Sequence, residues 1–135
     1  MERPSKTAGL RHVALFVPDL VEAEAFFVDL MGMEVEWRPD EGNVYLTSGN
    51  DNLALHAVSE PPAQGQLDHI GYFLSDPEEV MRWAEFLQGN GVTLLTEPRT
   101  HRDGAVSFYC LAPGGIRVQL IYHPPIAAAD KARSD

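Results

Sequence analysis

The chain repeats itself, and the repeat sets histidines at matching places. The run Leu10-Arg11-His12-Val13-Ala14-Leu15-Phe16-Val17-Pro18-Asp19 recurs as Leu67-Asp68-His69-Ile70-Gly71-Tyr72-Phe73-Leu74-Ser75-Asp76, 57 residues later (His12 to His69). The same offset carries through Phe26/Trp83, Leu30/Leu87, Gly32/Gly89 and Val35/Val92. A second register, offset by 63, then relates Tyr45/Phe108, Leu53/Ile116, Leu55/Val118 and His56/Gln119. Two copies of one supersecondary unit are therefore expected. Each copy opens on a His and closes on a side chain with ligand chemistry. A twofold arrangement of four such side chains can surround one metal ion.

Composition narrows the possible partners. The 135 residues suffice for one domain with a real core, and 44% hydrophobic with 22% charged residues is ordinary for a globular chain. Its net charge of −10 argues against binding nucleic acid or an anionic membrane surface, both of which want a basic face. The apolar stretches are only strand-sized, too short to cross a bilayer as a helix. Met1–Lys6 has no apolar signal core, and the single Cys110 excludes an internal disulfide. Both features fit a cytoplasmic location. Cys110 lies in an apolar run and reads as a packing residue.

Each half reads as β-α-β-β-β, giving an α+β fold of two tandem modules over residues 9–60 and 61–124. Residues 125–135 read as a disordered tail after Pro124-Pro125. In the first half, His12–Val17 is a strand and Leu20–Met31 a helix. That helix has Ala23, Phe26, Phe27 and Leu30 at apolar spacing, Asp19 as cap and Gly32 as stop. Strands follow at 33–38, 44–48 and 52–58. The linker, 59–66, is broken by Pro61, Pro62 and Gly65. The second half repeats the order with a strand at 69–74, a helix at 77–88, and strands at 91–96, 106–111 and 116–122. His123, next to Pro124, is expected to be exposed.

Strand parity sorts the side chains. His12, Ala14 and Phe16 share one face of the first strand, and His69, Gly71 and Phe73 share the same face of its repeat. Ala54, His56 and Val58 share a face, as do Arg117, Gln119 and Ile121. If the strands curl into a cup, His12, His56, His69 and Gln119 can converge inside it.

A paired βαβββ repeat opened by His resembles the vicinal oxygen chelate superfamily, which includes glyoxalases, bleomycin-resistance proteins and extradiol ring-cleaving dioxygenases. The resemblance covers about residues 9–123. It implies a curled, half-open mixed sheet with flanking helices, and a divalent metal held by His12, His56, His69 and Gln119. The run from His101 to Gln119, with Phe108-Tyr109 and Pro113-Gly114-Gly115 inside it, resembles the extradiol dioxygenase signature. That likeness implies that Tyr109 and His101 touch the substrate. Two departures stand out. Gln119 occupies the position of a carboxylate ligand, and no His occurs near Asp51-Asn52, where the dioxygenases carry an acid–base His.

The resemblance implies a metal-dependent enzyme that chelates adjacent oxygens of a small substrate, dioxygenase-like, with Fe(II) or Mn, and with Zn, Ni or Co also suited to imidazole ligands. The alternatives are a glyoxalase/lyase-type isomerase and a non-catalytic bleomycin-resistance-type binding protein. A homodimer is implied in each case.

Overall fold

The computed structural model describes residues 2–60, 62–63 and 65–134. Met1, then Pro61 and Gln64 of the expected linker, and Asp135 of the expected tail, lie outside the described residues. The chain forms two compact units, His12–His69 and Met1–Arg11 with Ile70–Asp135, whose boundaries fall within two strands. The fold is α+β, with eight strands and three helices among the described residues.

The first module comprises β1 (Gly9–Val17), α1 (Leu20–Ala25), β2 (Glu34–Asp40), β3 (Asn43–Thr47) and β4 (Asn52–Ala57). Its strands lie in the order β2-β3-β4-β1, with β1 parallel to β4 and the other pairs antiparallel. The side chain of Asp19 caps α1 by accepting from the Glu22 N–H at 3.0 Å, as expected. The helix does not run on regularly to Met31. A π-helical turn spans Phe26–Leu30, closed by Met31 N–H donating to Phe26 O, and Gly32 then turns the chain at φ +81°. The wider turn rotates the apolar face. Ala23, Phe27 and Val28 pack on the core of Val17, Leu20, Val44, Leu46 and Leu55, whereas Phe26 and Leu30 are exposed.

The second module comprises β5 (Leu67–Leu74), α2 (Glu78–Gly89), β6 (Arg99–Thr100), β7 (Val106–Ala112), β8 (Ile116–Tyr122) and α3 (Pro124–Ser134). Its order is β5-β8-β7-β6, with β5 parallel to β8. The helix α2 lays Val80, Trp83 and Ala84 on Phe108, Cys110, Val118 and Leu120, so Cys110 is a packing residue. The strand expected at 91–96 does not form. Leu94 makes one bridge to Cys110, and regular pairing resumes only at β6, beyond Pro98. Proline has no N–H to give the ladder.

The expected disordered tail is instead the helix α3. Prolines are tolerated in a first helical turn, where N–H groups have no intrahelical acceptor. Ile126 and Ala127 are buried, Ile126 packing with Phe73, Ala105 and Ile121. Arg11 holds the helix through two hydrogen bonds to the Asp130 carboxylate, at 2.8 and 2.9 Å, while its guanidinium lies over the Phe73 ring. His123, expected to be exposed, is buried and stacked on Phe73 with ring centroids 5.6 Å apart.

Candidate metal centre

His12 and His69 meet. Their Nε2 atoms are 2.9 Å apart, and each residue is only 5% exposed. The far nitrogen of each ring faces an oxygen. The Nδ1 of His12 is 3.2 Å from the backbone carbonyl of Asn52, and that of His69 is 3.4 Å from Asp68 Oδ2. A carbonyl or carboxylate oxygen can only accept, so the proton of each neutral ring belongs on Nδ1. Two Nε2 lone pairs then point at one another. A cation held between them relieves that repulsion by ligation. The arrangement fits a metal: ligating imidazoles hold their other N–H on an oxygen, and two such nitrogens at about 2.1 Å from one ion sit roughly 3.0 Å apart or a little more. Among the described residues no group of three or more His, Cys, Asp or Glu is gathered for a metal.

His56 does not join this pair. In the β1/β4 register His12 lies beside Asn52, Ala14 beside Ala54, and Phe16 beside His56. His56 is therefore on the same face as His12 but four residues along, about 13 Å at strand rise. Its Nδ1 donates to Asn43 Oδ1 at 2.6 Å. The residue corresponding to Gln119 is Ala54, because Gly71 pairs with Gln119 as Ala14 pairs with Ala54. That correspondence spans 65 residues (Ala54 to Gln119) rather than 63. Likewise Tyr45 opposite Ala54 corresponds to Tyr109 opposite Gln119.

The second module assembles its own polar group. Gln119 is 5% exposed, and its Nε2 donates to Ser107 Oγ at 3.0 Å. Ser107 Oγ is also 2.7 Å from His101 Nε2. Tyr109 stands directly across the β7/β8 ladder from Gln119. The structure thus joins His101 to Gln119 through Ser107, a residue that no sequence motif singled out. Its signal was parity with Tyr109 alone.

Burial pulls the pKa of His56 below its ordinary 6.5, against the opposing charges of Asp68 and Asp40. Burial, reinforced by Arg99, does the same for His101 against Asp103. Below about pH 6.5 the unfolded chain therefore binds more protons than the folded one, and stability falls as pH falls through that window. In chelator, the urea midpoint is expected to be flat above pH 7 and to drop between pH 6.5 and 5, less so in His101→Asn. A midpoint unchanged down to pH 5 would contradict the burial of these rings.

The sequence family model described as Glyoxalase/Bleomycin resistance protein/Dioxygenase superfamily matches residues 9–120. The manganese-dependent 2,3-dihydroxybiphenyl 1,2-dioxygenase of Geobacillus genomosp. 3 is 27% identical over 120 residues, 87% of this chain and 38% of that enzyme. Glutathione transferase FosA of Serratia marcescens is 28% identical over 116 residues, 83% of this chain and 79% of that enzyme. This chain spans about two-fifths of the length of the curated dioxygenases it matches. Among solved structures, the 2,3-dioxygenase LapB from Pseudomonas sp. KL28 superposes with a TM-score of 0.75 at 21% identity, over 87% of this chain and 43% of that one. Methylmalonyl-CoA epimerase from Mycobacterium tuberculosis gives 0.68 at 23%, over 95% and 97%. These two likenesses bear on the fold alone. The matched model covers most of the chain and both opening histidines, and the chain belongs to the Glyoxalase/Bleomycin resistance protein/Dioxygenase superfamily.

Proposed function

We propose that this chain is a divalent-metal-dependent enzyme that chelates adjacent oxygens of a small substrate, dioxygenase-like in its chemistry. The observation that carries the proposal is the buried Nε2 pair of His12 and His69, with each Nδ1 facing an oxygen. Those two residues are the imidazole ligands, and Gln119 is the third protein ligand by resemblance. A manganese-dependent relative supports Mn as the metal, with Fe(II) the other candidate. When bound, the metal supplies Lewis acidity that stabilises negative charge developing on the two substrate oxygens.

The roles of the protein groups follow from their partners. Gln119 is neutral, so it leaves more of the metal's charge for the substrate than a carboxylate does. Its amide N–H bond to Ser107 turns Oε1 away from Ser107. Tyr109, across the ladder from Gln119, and His101, held by Ser107, are the substrate-contacting groups.

The variant Gln119→Glu tests the ligand assignment. A carboxylate there is expected to tighten Mn(II) binding by about tenfold, some 1.4 kcal/mol. It also reverses the Ser107 hydroxyl, which then donates to the carboxylate while His101 donates to Ser107. Isothermal titration with Mn(II) measures this, and unchanged affinity would remove Gln119 from the ligand set.

Metal content and oxygen uptake with catechol as probe decide the class. The proposal expects near-stoichiometric metal and oxygen consumption that stops in chelator. Metal without oxygen consumption favours an isomerase, lyase or transferase, and the match to FosA over 79% of its length supports that second reading. A protein that binds its ligand unchanged in chelator is a binding protein instead.

A further inference from the structure

His56, set apart from the His12/His69 pair, has surroundings of its own. Asp40 Oδ1 accepts from the Gly42 N–H and from Asn43 Nδ2, each at 2.8 Å. With its NH₂ group committed to that carboxylate, Asn43 presents Oδ1 to His56, and this oxygen takes the Nδ1 proton at 2.6 Å. The lone pair of the ring is therefore on Nε2. Among the described residues, Nε2 has no hydrogen-bond partner. Desolvation keeps the ring neutral despite the nearby carboxylates of Asp68 and Asp40.

Aromatic rings flank it on both sides. Phe16 lies 6.3 Å away, centroid to centroid, on the neighbouring strand, and Tyr45 lies 6.2 Å away, edge-on. Trp37 stacks on Tyr45 from behind at 5.4 Å, and is itself exposed. Between His12 and His56 the β1/β4 register places Ala14 beside Ala54, on the same face and with small side chains.

The corresponding end of the second module is occupied differently. Phe73 takes the place of Phe16, and Ile121 the place of His56. There Ile126 of α3 packs on both and leaves them buried. Phe16, His56 and Tyr45 remain half-exposed. One end of the repeat is thus plugged with apolar side chains. The other keeps an oriented acceptor among aromatic rings.

We propose that His56 anchors the far end of an aromatic substrate, its Nε2 accepting a hydrogen bond from a hydroxyl or N–H that is remote from the chelated oxygens. This rests on the proposed chelation at His12 and His69, and it removes His56 from the metal. The substrate class is an aryl-substituted diol with a hydrogen-bond donor on its distal ring. Recognition of that donor would be specific, because bound substrate covers Nε2, and a covered acceptor left unpaired is penalised when the analogue lacks the group.

The test compares 2,3-dihydroxybiphenyl with 2,3,4′-trihydroxybiphenyl, bound anaerobically to the Mn-loaded protein. The wild type is expected to bind the 4′-hydroxylated compound about fivefold more tightly, the equivalent of one net hydrogen bond of about 1 kcal/mol. His56→Phe should abolish that advantage. His56→Gln, which keeps an acceptor, should retain part of it. Both variants should bind Mn(II) as the wild type does. Equal binding of the two compounds by the wild type overturns the anchor and leaves chelation standing. Loss of Mn(II) from either variant returns His56 to the metal and overturns the anchor. Failure of both compounds to bind overturns the anchor and the chelation it depends on.

Discussion

In His69→Ala, divalent metal is expected to lose its stabilising effect altogether. A metal that binds only the folded chain stabilises it by about 2.7 kcal/mol at a concentration 100 times its Kd, which raises Tm by several degrees in a domain of this size. Removing one imidazole of two leaves His12 without its partner across the 2.9 Å gap and without the geometry to hold an ion. Thermal unfolding with and without Mn(II) reads the effect directly. The wild type should shift, and His69→Ala and His12→Ala should not. Because the metal-free variant loses the repulsion between two facing lone pairs, its own Tm in chelator should be no lower than that of the wild type. A variant that still shifts with Mn(II) would place the metal elsewhere.

Phe108→Ala should cost the most stability of any single truncation. Phe108 is 0% exposed and packs among Leu74, Val80, Trp83, Ala84, Cys110, Val118 and Leu120, where α2 covers the second module's strands. Deleting its ring there loses the transfer energy and leaves a cavity that the flanking strands cannot close. The expected loss is 3–5 kcal/mol, with a fall in Tm of about 10 °C or more. Leu111→Ala, one strand residue away from Cys110 but on the opposite, partly exposed face, should cost under about 1 kcal/mol. Urea unfolding compares the two. Similar losses for both would mean that β7 is not buried on one face as described.

The repeat carried much of the fold. Its first register, His12 to His69, paired the two strands that open the modules and also the two histidines that meet. What hid the rest was small differences between the copies. The second hairpin, from Tyr109 to Gln119, is one residue longer than the first, from Tyr45 to Ala54. Tyr45 matches Tyr109 at an offset of 64 and Ala54 matches Gln119 at 65, so a fixed offset of 63 set His56 on Gln119's place, and two residues along a strand keep the same face while moving the side chain by roughly 7 Å. Parity was satisfied and position was wrong.

Other features depended on contacts far apart in the sequence. Nothing near Pro124 announces that Ile126 will bury itself on Phe73, or that Arg11 will grip Asp130, 119 residues away. The chain bends at Leu95 and Thr96, whose N–H groups both turn to Tyr109 O, so the edge strand breaks off there despite its apolar residues. The π-helical turn at Phe26–Leu30 changes which phenylalanine faces the core without changing the apolar spacing. A lone serine in a strand has no pattern, so Ser107 carries no sequence signal of its own, yet it links His101 to Gln119.

The central claim is that His12 and His69 share one metal ion. The most direct measurement is an anomalous difference map at the manganese edge from crystals of the full chain grown with Mn(II). One peak is expected within about 2.0–2.3 Å of both Nε2 atoms, and none at His56. A peak bound by His56 or His101 instead, or full Mn(II) occupancy elsewhere with the His12–His69 pair still in direct contact, would contradict it.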